Sequence, residues 1–149
     1  MPIAKSTIWT DTWNVIFNLI KDNVADPLGR SKWIYSAFPE FRIESKDNYP
    51  IIVIPPLPGI EDQFTMEKGK FTFECPIEIY SSKAFEVDSL SNDVFKAFNI
   101  KRYITLRSGN GLMLTRLLGR TYDMFLRGGI KIHNSTLRFE CQWIYTRGA

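Results

Sequence analysis

Lys70-Phe71-Thr72-Phe73-Glu74-Cys75-Pro76-Ile77-Glu78-Ile79-Tyr80 decides how this chain is read. Phe71, Phe73, Cys75, Ile77 and Ile79 fall on one phase, with Thr72, Glu74 and Glu78 on the other. Such alternation defines a half-buried strand, because successive side chains leave the pleat on opposite sides. Residues 136–145 repeat the pattern, with Leu137, Phe139, Cys141, Trp143 and Tyr145 against Arg138, Glu140 and Gln142. Both stretches carry the tripeptide Phe-Glu-Cys, at 73–75 and 139–141. The chain is therefore a sheet-centred scaffold whose conspicuous residues build a core.

Pro76 cannot donate to a ladder, so its strand is expected at an edge or to bulge there. Upstream, residues 55–70 hold Pro58, Gly59 and Gly69 among mixed charges and read as a long loop. Residues 32–38 and 49–54 read as two strands bounded by Pro39, Pro50 and Pro55-Pro56. Ile51-Ile52-Val53-Ile54 is apolar on both phases, which calls for cover on both faces or a subunit contact. Before them, Trp9, Trp13, Ile16, Phe17, Ile20 and Val24 form one stripe of a helix. Thr10 is its expected N-cap, Asp11 suits its first turn, and Pro27 ends it near Asp26. The two tryptophans are expected to anchor the core.

Downstream, Ser81 and Ser82 offer caps for a second helix whose stripe is Val87, Leu90, Val94, Phe95 and Phe98. Residues 112–118 and 130–133 read as strands, after Gly109-Asn110-Gly111 and Gly128-Gly129 respectively. Asn134-Ser135 either turns the chain or lets the strand run through with a bulge. Segregated helices and a mostly antiparallel sheet, with two amphipathic helices packed on it, make the expected class α+β in one domain spanning 1–149.

Composition fits that class: of 149 residues, 44% are hydrophobic and 23% charged. A chain of this size buries roughly 70% of the surface it exposes unfolded. No apolar run approaches the roughly 20 residues that span a bilayer, and the first residues lack the pattern of a signal peptide. The expectation is a soluble protein, not secreted by the usual route, with no membrane partner. Cys75 and Cys141 lie on the apolar phases of their strands and are expected as buried thiols. A disulfide would be unusual in a reducing compartment, and zinc lacks ligands at the right spacing.

No catalytic constellation is visible. His133 stands alone in a strand-like context and is expected to be structural. Gly109-Asn110-Gly111 lacks the lysine and helix of a phosphate loop. Asp88 and Asp93 would not share a helix face, and Glu61-Asp62 is too slight for a metal site. Enzymatic activity, a cofactor and a metal are all unexpected.

Charge is distributed unevenly. Residues 1–100 carry 10 Lys/Arg against 14 Asp/Glu, a net of −4, whereas residues 101–149 carry 9 against 2, a net of +7. Arg102, Arg107, Arg116, Arg120 and Arg127 have only Asp123 among them for balance. They form a solvated basic region, a subunit or partner interface meeting the acidic part of a neighbouring copy, or a nucleic-acid patch. Arginine's planar, multi-donor head suits interfaces. The interleaved aromatics of a nucleic-acid patch are sparse, being Tyr103, Tyr122 and Phe125.

The layout also resembles a known family. An amphipathic helix over 10–24 is followed by the strand Tyr49-Pro50-Ile51-Ile52-Val53-Ile54, then by a glycine-led strand over 69–81. A helix around 86–94 and a long aromatic strand over 137–145 complete it. This order is similar to the tail-terminator (tail-completion) proteins of long-tailed phages and related archaeal viruses. The 101–128 stretch matches no pattern of that family. The resemblance implies a homo-oligomeric ring, usually a hexamer, seated on the last ring of the tail tube. Its implied partners are the tail-tube protein, a head-completion or neck protein, and DNA passing through the channel. The implied location is the neck–tail junction of a virion made in a host cytoplasm. Another neck component (head-closure or connector), a tail-tube subunit or a basic nucleic-acid-binding module are the alternative readings.

Overall fold

The computed structural model describes residues 3, 5–63, 66–100 and 112–146. Its elements in chain order are α1 (Ile8–Asn23), β1 (Ile34–Tyr35), β2 (Ile51–Val53), β3 (Gly59–Gln63), β4 (Lys68–Ser81), α2 (Ala84–Ile100), β5 (Leu112–Arg127) and β6 (Ile130–Thr146). The sheet runs β1-β2-β4-β6-β5, and β3 pairs with β4 beyond the end of β2. Among the described residues, β1 and β2 alone pair in parallel. The two helices and this largely antiparallel sheet give an α+β fold.

The alternating stretches pair with each other. The β4–β6 ladder runs without a shift from Lys68 opposite Thr146 to Ser81 opposite His133. Its register places the two Phe-Glu-Cys tripeptides across from one another: Phe73 opposite Cys141, Glu74 opposite Glu140, and Cys75 opposite Phe139. Phe73, Cys75, Ile77 and Ile79 from β4, with Leu137, Phe139, Cys141 and Trp143 from β6, are buried beneath the helices. The Cys75 and Cys141 sulfurs lie 3.5 Å apart as free thiols. Their mutual hydrogen bond, followed by burial, raises the Cys75 pKa well above the ordinary thiol value.

Several expectations need correction. The strand bearing Pro76 is interior rather than at an edge, and its ladder has no bulge. Pro76 is tolerated because β3 pairs only as far as Phe73 and β2 begins only at Glu78. The Glu74 amide points into that side, toward the Pro58 carbonyl. By the period of two, position 76 points the same way, into the gap between the two short strands. The expected loop over 55–70 contains β3 and the first residues of β4, which form a second antiparallel pair. Residues 32–38 supply only a two-residue strand, because β2 offers only three residues to pair with. Asn134-Ser135 makes no turn, and β6 runs straight through.

Helix α1 begins three residues earlier than expected, after Thr7, whose hydroxyl donates to Asp11 at 2.6 Å rather than capping an amide. Its buried stripe is Ile8, Thr12, Val15, Ile16, Leu19 and Ile20, rotated from the aromatic stripe. Trp9 is 50% exposed, and Trp13 sits at the border with its indole N–H donated to the Ile54 carbonyl at 2.8 Å. A buried indole N–H needs such a partner, which favours the rim of the core over its centre. In α2, Val87, Leu90, Val94, Ala97 and Phe98 are buried while Phe95 faces out. Phe98 stacks on Phe139 with ring centroids 4.0 Å apart. Ser81 prepares the α2 start, accepting from the Lys83 amide at 3.1 Å and donating to Glu86 at 2.7 Å.

The opposite face of the sheet is half covered. Tyr49, Ile51, Val53 and Ile132 form a second buried cluster, against which Phe38, Phe41, Tyr80 and Phe125 pack. Ile52 and Ile54 join the main core instead, so the strand that is apolar on both phases is indeed covered on both sides. Burial raises the Tyr49 hydroxyl to a pKa of about 12, with the Glu44 charge and hydrogen bond adding to it. Burial and Glu78 likewise raise that of Tyr80.

Candidate subunit interface

The long β5–β6 hairpin brings the basic stretch to the margin of the sheet. Its turn is Gly128-Gly129, with φ of 58° and 78°. Two successive positive φ values match the twist of a two-residue hairpin turn, and glycine adopts them without penalty. Among the described residues β5 pairs with β6 alone, which makes its other side an edge of the described sheet. Register shifts at Leu114/Arg116 and Leu117/Gly119 bend its first half, and the second half is regular. Such bulges are one of the ways an edge is protected.

Arg116, Arg120 and Arg127 all lie on this strand, and Arg102 and Arg107 fall outside the described residues. The expected balance by Asp123 alone is corrected, since each of the three meets a carboxylate from elsewhere in the fold. Arg116 pairs with Glu140 at 3.0 Å, Arg120 with Asp88 of α2 at 2.5 Å, and Arg127 with Glu44 at 2.6 Å. Asp123 instead accepts the Met124 amide. Sequence distance hid these partners: Glu44 lies 83 residues from Arg127.

Each pair has a distinct local reason. Glu74 and Glu140 are directly opposite on the face away from the helices, a repulsive placement. Arg138 reaches Glu74 at 3.3 Å while Arg116 reaches Glu140, so two arginines flank two glutamates. The Arg116 side chain remains 65% exposed, and such a pair contributes about 0–1 kcal/mol. Arg120 lies on the helix side, where its Nε donates to the buried Ser135 hydroxyl at 2.7 Å. Ser135 and Ser91 hydroxyls are 2.9 Å apart, and Ser91 donates to the Val87 carbonyl. Because Ser91 has spent its one proton, Ser135 donates to Ser91 and a chain of bonds runs from the edge into α2. Arg127 also lies over the Phe38 ring at 4.7 Å. The hydrogen bond it donates to the Glu44 carboxylate raises its already high pKa further.

The edge also exposes apolar side chains that the alternation argument missed. Leu117, Leu118, Tyr122, Met124 and Leu126 are all exposed, Leu126 to 75%. The bulges break period two, so the sequence signal here is a run, Leu112-Met113-Leu114, followed by Leu117-Leu118, rather than a clean alternation. On α2, Phe85 and Phe95 flank Asp88 at helical spacing and are exposed beside the Arg120 pair. His133 sits in β6 and contacts the Tyr122 hydroxyl through Nδ1.

The other side of the sheet offers the opposite charge. Ile60, Glu61 and Asp62 of β3 are exposed, with Lys70 across from Asp62. Nearby, Trp9, Thr10, Trp13, Ser36, Pro56 and Leu57 line an open apolar groove of about 550 Å³. Among the described residues, no group of three or more His, Cys, Asp or Glu could hold a metal ion, and no helix is long and apolar enough to cross a membrane.

This α+β architecture is shared with a chain of a solved virion particle. The chain superposes on a chain of the virion of a native gene transfer agent particle with a TM-score of 0.54, over 87% of its own length and 93% of the other's, at 12% identity. No protein-family model matches the sequence, and no curated protein does.

Proposed function

We propose that this protein is a structural component of a virion, acting as a ring that caps a tail tube. In that role it stops tube polymerisation and joins the tail to the head–neck complex, leaving a channel for DNA. The observation that carries the reading is the shared fold with a chain of the gene transfer agent virion, spanning nearly the whole of both chains. Two features of the molecule support it: a long apolar sheet edge bearing arginine, and an acidic edge opposite, in a single chain. Unlike edges suit heterologous contacts, which close into rings when the rotation permits. Arg102, Arg107, Arg116, Arg120 and Arg127 are the proposed interface residues, and six is the proposed copy number. The remaining partners are a tail-tube protein, a head-completion protein and transiting DNA, at the neck–tail junction.

The ring is tested by measuring the mass of the purified protein in solution. A discrete multiple near six supports it, and a monomer at every concentration rejects it. Capping is tested by adding the protein to polymerising tail tubes. Arrested growth with the protein at tube ends supports a terminator, whereas incorporation along the tube identifies a tube subunit. A nucleic-acid module would instead bind DNA with affinity falling steeply as salt rises.

A further inference from the structure

The geometry points to the contact that builds the ring: the outer edge of β5 in one copy pairs antiparallel with the outer edge of β3 in the next. This inference rests on the ring reading and specifies its interface. Strand direction permits it. β3 and β6 both run against β4, and β5 runs against β6, so β5 and β3 point in opposite senses. Rotation about an axis roughly along the strands preserves those senses, and every copy presents the same antiparallel pairing to the next.

The charges match face by face. Arg120 lies on the helix side with Asp88, and Glu61 lies on that side too, opposite Phe71 of the core layer. Arg116 lies on the other side with Glu140, where Asp62 and Ile60 also fall. Joining the two edges therefore sets one arginine and one acid on each face. The exposed Trp9, which packs over Phe73 beside Gly59, would meet the apolar side chains of β5 on the helix side.

The levels match once the strands tilt. Across one copy Glu61 is opposite Phe71, Phe71 opposite Trp143, and Trp143 opposite Leu112. Arg116 stands level with Glu140 and Arg120 with Leu137, three and six rungs further along. One copy spans four strands at this level, about 19 Å at about 4.8 Å each. Strands of closed sheets tilt by about 35–45°, which staggers successive copies by about 13–19 Å, or about four to six residues. The pleat admits only even shifts, because an odd one would swap the faces. A shift of four places Asp62 opposite Arg116 with Glu61 diagonal to Arg120. A shift of six places Glu61 opposite Arg120 with Asp62 diagonal to Arg116. Both satisfy both pairs within the reach of long side chains.

Either shift brings Ile60 beside Gly119 or Thr121, which defines the experiment. The full chain carrying Ile60→Cys is combined with Gly119→Cys, which reads the shift of four, or with Thr121→Cys, which reads the shift of six. Each double variant is assembled, oxidised mildly and run without reductant, with each single variant alongside. Ile60 and Thr121 are exposed, Gly119 has room for a Cβ, and the native thiols are buried. The expected result is a ladder of covalent oligomers ending at the ring size, from one of the double variants and from no single variant. A ring of correct mass that yields no ladder from either double variant would overturn the β5–β3 contact while leaving the ring itself standing. Covalent dimers from Thr121→Cys alone would overturn it in favour of a two-fold β5–β5 pairing. The absence of any oligomer by mass would remove the ring reading and this inference together.

Discussion

Phe139→Ala tests whether α2 is held to the sheet as the structure has it. Phe139 is 1% exposed at the middle of β6, and its ring stacks on Phe98 at 4.0 Å with planes 5° apart. Truncating a buried phenylalanine costs about 3–5 kcal/mol, comprising lost transfer energy and the cavity left behind. Collapse into that cavity is opposed, because Leu137 and Cys141 on either side are fixed by the β4–β6 ladder. Against a total stability of about 5–15 kcal/mol, one truncation removes a large share. For a domain of this size each kcal/mol lowers Tm by about 2–4 °C, giving a fall of about 6–20 °C. The assay is urea unfolding followed by circular dichroism at fixed protein concentration, since assembly would otherwise add its own stability. Phe98→Ala and the double variant complete a cycle. The two losses should fall short of additive by about 0.5–1.5 kcal/mol, the worth of the ring pair itself. A loss below about 1 kcal/mol for Phe139→Ala, or strict additivity, would refute the stacked packing of α2.

Arg116→Glu and Arg120→Glu would place new carboxylates beside Glu140 and Asp88, so they should weaken the fold as well as any interface. Arg116→Gln with Arg120→Gln should cost no more than about 2 kcal/mol of stability, yet lower the oligomer mass in light scattering; an unchanged mass counts against the arginine interface. Asp26 illustrates a pH effect: burial raises its carboxyl, but hydrogen bonds from Arg30 and the Leu28 and Arg30 amides, with the Arg30 charge, outweigh it and lower the pKa below 3.8. Its stabilisation is present above the unfolded value and fades as pH falls through the lower folded one. Asp26→Asn should therefore unfold at less urea than wild type at pH 7, and the gap should narrow as pH falls below 3.8 and the Asp26 carboxylate is protonated. Gly128→Ala should cost about 1–3 kcal/mol, because it forces an alanine to φ of 58° and brings its Cβ to 2.7 Å from Glu44 Cβ; Tm equal to wild type would show that the turn adopts another form.

The sequence made the middle of the fold legible because its signals are periodic. The alternation around Phe73 and Phe139 named both central strands, and the step from Val87 to Phe98 named α2. Legibility failed where side-chain size was taken for depth: Trp9 and Phe95 looked like core anchors, but the smaller Ile8, Val15 and Ala97 occupy the tighter positions. It failed again where partners are remote. Nothing near Arg127 announces Glu44, and a five-residue strand at 59–63 exists only because β4 extends to receive it. The candidate interface was visible as a charge excess, whereas the open edge that gives the excess a geometry depends on sheet order.

The meeting of the two Phe-Glu-Cys tripeptides has a consequence for how the chain finds its fold. Read antiparallel, the tripeptide complements itself: phenylalanine meets cysteine and glutamate meets glutamate whichever two copies are joined. Side-chain chemistry at the sheet's centre therefore does not distinguish β4 with β6 in one chain from β4 with β4, or β6 with β6, between two chains. Connectivity makes the distinction, since a tether holds its two ends at an effective concentration of about millimolar. Below that concentration the tethered pairing wins, and above it strand exchange between chains competes. Fidelity at the centre of this sheet is thus set by dilution, and refolding from denaturant should yield more native protein the fewer neighbours each chain encounters.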